Sequence, residues 1–211
     1  MTQARSTWVV FDYGGVICTP QPDEDVALLA AAAGGVPVPD FQGAYWAYRL
    51  SWDRAELDGT TYWHKVAAAL GISFSLSQIA ELTRLDIASW LHLCGGTVAL
   101  IEDLVGAGYP LALLSNAPAE VAEVVADLPV ARAFSHRAFS CFLGAAKPEP
   151  ECYQAVLGML GARAADVIFI DDRPDNVAAA AGLGIRSVHF STPAQARTAL
   201  AAHGVTATPR G

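Results

Sequence analysis

The chain has 211 residues, of which 53% are hydrophobic and 16% charged, with a formal net charge of -8. That is enough apolar material for one sizeable core, or a core with a smaller inserted unit, and too much for an unfolded chain. The acidic balance, without a basic stripe, excludes a general nucleic-acid binder, and no apolar run approaches the ~20 residues that cross a bilayer.

The opening segment, MTQARSTW, has no apolar stretch of the signal-peptide kind, and a cytoplasmic location is expected. The four cysteines, Cys18, Cys94, Cys141 and Cys152, show no C-x-x-C spacing, so free thiols are expected and a structural zinc site is not. The first apolar run, WVVFD (8–12), reads as a buried strand that ends on a carboxylate, Asp12, with Gly14 and Gly15 just beyond. Residues 21–93 then read as helix throughout. Four pieces, 23–33, 38–50, 60–70 and 76–93, each repeat apolar residues with the helical period, and Gly34-Gly35 and Gly71 separate some of them.

From there helix and strand alternate. Helices are predicted over 97–106, 118–127, 150–160 and 174–183, and strands over LALLS (111–115), VIFID (167–171) and IRSVHF (185–190). The alternation predicts an α/β fold with a Rossmann-like parallel sheet. The core is expected from residues 1–17 and 94–211, and an inserted helical cap from residues 18–93. Tyr45, Trp46, Tyr48 and Trp52 are assigned to the interior of the cap, with a dimer patch as the other reading.

An open parallel sheet binds ligands beyond the carboxyl ends of its strands. Asp12, the pair Ser115-Asn116 and the pair Asp171-Asp172 all stand at such ends, and Lys147 precedes a helix that reaches the same edge. Carboxylates from two strands suit a hard cation such as Mg²⁺. A lysine, a hydroxyl and free backbone N–H groups suit phosphate oxygens, and a carboxylate facing phosphorus can act as nucleophile. Singly, each feature is ordinary. Asp12 and Ser115-Asn116 could be turns, Lys147 a solvated charge, and Asp171-Asp172 before Arg173-Pro174 a helix cap. Four of them in order favour a site.

The ordered set resembles the haloacid dehalogenase-like (HAD) hydrolase superfamily. FDYGGV (11–16) is similar to its first motif, LLSNA (113–117) to its second, AKPEPECY (146–153) to its third and FIDDRPDNVAAAAGLGI (169–185) to its fourth. The position of the helical insert resembles the subfamily with α-helical C1 caps. The resemblance implies a phosphatase of a small phosphorylated molecule; charge and the lengths of the apolar runs leave no nucleic-acid or membrane partner expected, and a monomer and a homodimer both stay open. The resemblance also implies Asp12 as the nucleophile, and Ser115, the N–H of Asn116 and Lys147 as phosphate-binding groups. It further implies Mg²⁺ held by Asp12, the carbonyl of Gly14, Asp172 and Asp171. Asn176 stands where some members carry another acid, with Asp175 beside it.

At Gly14 the sequence departs from the phosphatase pattern, which has a second aspartate there to protonate the leaving group. General acid catalysis is worth ~10²–10⁴-fold. Three readings remain open. A phosphatase could draw its proton from water or from the cap, where Tyr48, Arg49, Trp52, Asp53, Arg54, Trp63 and His64 are candidates to line the cleft. A metal-free 2-haloacid dehalogenase needs no such proton, but the acidic pair in IDDRPDN speaks against it. A non-catalytic binder of a phosphorylated ligand is the third.

Overall fold

A computed structural model describes residues 7–208. Its centre is a five-stranded, all-parallel sheet of β1 (Trp8–Phe11), β2 (Leu111–Ser115), β3 (His136–Phe139), β4 (Val167–Asp171) and β5 (Arg186–His189), in the order β3-β2-β1-β4-β5. The chain leaves central β1, builds β2 and β3 on one side, then returns to build β4 and β5 on the other. Strand order therefore reverses beside β1, which is where a sheet of this kind opens a crevice for ligands.

The predicted strands are all present, each within two residues of its expected bounds. The sequence reading missed β3. Its residues, HRAF, begin polar and partly exposed, because an edge strand pairs on one side only and needs no continuous apolar run. Ten helices are formed among the described residues. They are α1 (Asp23–Ala32), α2 (Val38–Asp53), α3 (Gly59–Ala69), α4 (Leu76–Ser89), α5 (Gly95–Gly106), α6 (Ala119–Asp127), the single turn α7 (Ser140–Leu143), α8 (Pro150–Leu160), α9 (Pro174–Gly182) and α10 (Pro193–Ala202). The helix expected over 76–93 stops at Ser89, because Leu93 leaves the helix to pair with Cys18 in a backbone bridge. α10 was not predicted, although Thr192 caps it by accepting the N–H of Gln195 at 3.1 Å.

Alternation along the strands fills two layers. Val9, Phe11, Leu111, Leu113, Ile168 and Ile170 face one side, against α5, α6 and α10, and Val10, Ala112, Leu114, Val167 and Phe169 face α8 and α9 on the other. Helices α1–α4 bury a cluster of their own, which includes Leu29, Phe41, Tyr45, Trp52, Trp63 and Leu82. Local signals set these helices. Asp58 accepts the N–H of Thr61 at 2.7 Å at the start of α3, and Ser75 and Gln78 form a reciprocal capping box on α4. Tyr45 and Trp52 are interior, as expected, whereas Trp46 is 51% exposed and corrects that assignment. The four cysteines are free thiols, and no described helix is long and apolar enough to cross a membrane.

Candidate active site

Asp12 lies one residue beyond β1. Its N–H still donates to Ile170 O at 2.9 Å, so sheet pairing holds it against the end of β4. The chain then turns sharply, and the N–H groups of Val16, Ile17 and Cys18 all return to Tyr13 O. Gly15 sits at the tightest point with φ +74°, and a Cβ there would overlap the Asp172 carboxylate. Glycine is required at that position on both counts. Gly14 is different. A Cβ on it would rest 3.4 Å from the Trp90 indole, an ordinary contact.

Asp171 is the last residue of β4 and fully buried. Between it and Asp12 lies the ammonium of Lys147, 2.6 Å from Asp12 Oδ1 and 2.7 Å from Asp171 Oδ2. Lys147 is delivered by the loop before α8, and the Asn116 side chain holds that loop by its backbone. The Asn116 amide donates to Lys147 O and accepts from Lys147 N–H, both at 2.9 Å. Ser115, at the end of β2, is buried, and its hydroxyl makes a long 3.4 Å contact with the Asn116 carbonyl. The structure thus brings together Asp12, Gly14, Ser115, Asn116, Lys147, Asp171 and Asp172 at one sheet edge.

Burial pushes the Asp12 carboxyl well above the ordinary carboxylate range, against the pull of Lys147, and Asp171 adds to the rise. Asp171 goes the other way. Burial would raise it too, but Lys147, the N–H of Arg173 at 2.8 Å and the Asn176 amide at 3.0 Å hold it below the usual range. Burial, with Asp171 alongside, raises Asp172. Burial alone would lower Lys147, yet its two carboxylates raise it, so it stays charged. Oxygens of Asp12, Asp171 and Asp172 lie within 4.8 Å of one another. Three carboxyl groups, two of them pushed up by burial and by their acidic neighbours, make an all-oxygen donor set that suits a hard divalent cation, which would draw them to the ionised form.

The family model of haloacid dehalogenase-like hydrolases matches residues 7–184. The chain belongs to this family. This HAD-like hydrolase is 25% identical over 183 residues to the sesquiterpene phosphatase astK of Aspergillus oryzae, a match spanning 86% of the chain and 88% of that protein. Its fold is shared with a HAD family enzyme of Bacteroides thetaiotaomicron crystallised with magnesium and inorganic phosphate. There the TM-score is 0.67 at 21% identity, over 88% of this chain and 94% of that one. It is shared as well with the L-2-haloacid dehalogenase RSc1362, at TM-score 0.67 and 19% identity, over 86% and 85% of the two chains.

Three contributions escaped the sequence reading. Asn176 donates to Asp171 rather than standing in for an acid, the Asn116 side chain holds the Lys147 backbone, and Trp90 faces Gly14. The fourth motif marks the position of Asn176, but not the bond it makes to Asp171. Of the suggested cleft residues, Trp63 is fully buried in the helical cluster and His64 is exposed. Arg49 and Asp53 pair with each other at 2.8 Å inside the α1–α4 side.

Proposed function

We propose that this HAD-like hydrolase is a Mg²⁺-dependent phosphatase of small phosphate monoesters, with residues 18–93 acting as the cap over a core of 1–17 and 94–211. The observation that carries the reading is the Lys147 ammonium bridging Asp12 and Asp171, with Asp172 beside them, at the switch point of the sheet. Asp12 is the nucleophile. Its carboxylate oxygen attacks phosphorus, the bond from phosphorus to the leaving oxygen breaks, and an aspartyl phosphate forms. Ser115, the N–H of Asn116 and Lys147 hold the phosphoryl oxygens, and Lys147 offsets the repulsion between two anions. The departing alkoxide takes its proton from water, because Gly14 has no side chain to donate one. Water then attacks phosphorus, the bond to Asp12 breaks, and inorganic phosphate and free Asp12 result.

Asp12, the Gly14 carbonyl and Asp172 are the residues that would hold Mg²⁺. Asp171, whose oxygens already accept from Lys147, Arg173 and Asn176, is suited to contact it through water. When bound, the ion supplies charge stabilisation at the phosphoryl oxygens.

The test is hydrolysis of p-nitrophenyl phosphate with Mg²⁺, with EDTA, and by Asp12→Asn. Nitrophenolate leaves without protonation, so an absent general acid does not hide the reaction. Turnover that EDTA and Asp12→Asn both abolish supports the reading. Gly14 also suits a dehalogenase, and halide release from 2-haloacids in EDTA would favour that chemistry instead.

A further inference from the structure

The side chain that stands nearest the Gly14 position is aromatic. Trp90 brings its six-membered ring to the Gly14 position, and Trp46 meets Trp90 edge to face at 6.4 Å between ring centroids. Trp46 is half-exposed, as is Leu50 one turn further along α2. Across the site α7 follows β3. Its Ser140 Oγ donates to Asp53 O at the end of α2 and accepts the N–H of Ala117 beside Ser115-Asn116. Phe142, two residues on, is 64% exposed. Trp90 and Trp46 thus form an aromatic pair that begins at Gly14 and reaches solvent at Trp46.

The helical side offers this wall no spare positive charge. Segment 18–93 carries nine acidic residues and four basic ones. Arg49, behind Trp90, is buried and committed to Asp53 and Asp86. Arg54 pairs with Glu149 and Glu56, and Arg84 with Glu81. Lys65 lies over the Tyr48 ring. A second phosphate or a carboxylate on the substrate would meet an acidic surface whose cations are engaged.

We infer that the alcohol portion of the substrate is apolar and uncharged, seated on Trp90 and Trp46, so that the phosphate is its only anionic group. This rests on the phosphatase reading and names its substrate class. Trp46 and Trp90 are specificity-determining residues, acting through contact with the leaving group and not on phosphorus.

The experiment compares kcat/KM for 2-naphthyl, phenyl and 4-carboxyphenyl phosphate, whose leaving phenols are of similar acidity, with Asp12→Asn as background. The naphthyl ester is expected to exceed phenyl by about tenfold or more, given the extra apolar area it covers, and the carboxyphenyl ester to fall below phenyl. Trp46→Ala brings the naphthyl-to-phenyl ratio toward one. Trp46→Lys raises carboxyphenyl relative to phenyl, an effect that loss of folding cannot mimic. Equal Asp12-dependent rates for the three esters overturn the inference and leave the phosphatase reading standing. Turnover of p-nitrophenyl phosphate with none of the three esters turned over overturns the inference alone. No Asp12-dependent turnover of p-nitrophenyl phosphate either overturns the phosphatase reading, and the inference with it.

Discussion

Replacing Lys147 by Met keeps the length of the side chain and removes its charge. In the native protein the Lys147 side chain is 1% exposed, between Asp12 at 9% and Asp171 at 0%. The substitution leaves two buried carboxylates facing each other without the ammonium that serves both. Breaking a buried pair in this way costs ~3–5 kcal/mol, where an exposed pair would cost ~0–1. In a protein of this size each kcal/mol moves Tm by about 2–4 °C, so Lys147→Met should melt about 6–20 °C lower in EDTA. Urea unfolding gives the free energy directly, and Lys147→Met with Asp171→Asn should recover part of the loss because one stranded charge has gone. A single variant within about 1 kcal/mol of the parent would refute the argument. It would mean that solvent reaches Asp12 and Asp171 far more freely than their burial implies.

Gly15→Ala places a Cβ at φ +74° into the Asp172 carboxylate. We expect a loss of ~1–2 kcal/mol in urea unfolding and about tenfold weaker half-saturation by Mg²⁺; unchanged Mg²⁺ dependence would detach Asp172 from the metal. Asn116→Ala removes both hydrogen bonds to the Lys147 backbone and should cost ~1–3 kcal/mol, with kcat falling more than KM rises. Among the cysteines, Cys94 is part-exposed and a Thr97 hydrogen bond lowers its thiol. Burial pushes Cys141 up to about 11 and Cys18 and Cys152 up to about 12. Alkylation of the folded protein at pH 8, read by mass spectrometry, should therefore label Cys94 first. Equal labelling of Cys152 would contradict the burial argument.

The strands that matter for the site were legible because each is a short apolar run closed by a polar residue. β1 ends at Asp12, β2 at Ser115 and β4 at Asp171, and a buried parallel strand leaves little choice about where its side chains go. β3 was illegible, where β5 at the other edge was not, because HRAF has no β-branched residue and opens on two polar ones, whereas IRSVHF carries Ile and Val. Asn116 was read for its N–H, and nothing in LLSNA says that its side chain reaches across 31 residues to the Lys147 backbone. Trp46 and Tyr45 stand side by side in sequence, yet one is exposed and the other buried. The helical period of α2 allots them different faces without saying which one the core takes.

By itself the sequence determined the class of fold, the order of the four polar clusters and the absence of a side chain at position 14. These follow from periodicity, from strand ends and from residue identity, all of them local. Only the tertiary structure decided that one lysine serves two carboxylates, that Asn176 supports Asp171, and that Trp90 comes from the far end of the helical segment to face Gly14. Each joins residues far apart in the chain, and such pairings are fixed by how helices settle on the sheet, where packing of whole faces outweighs any local preference.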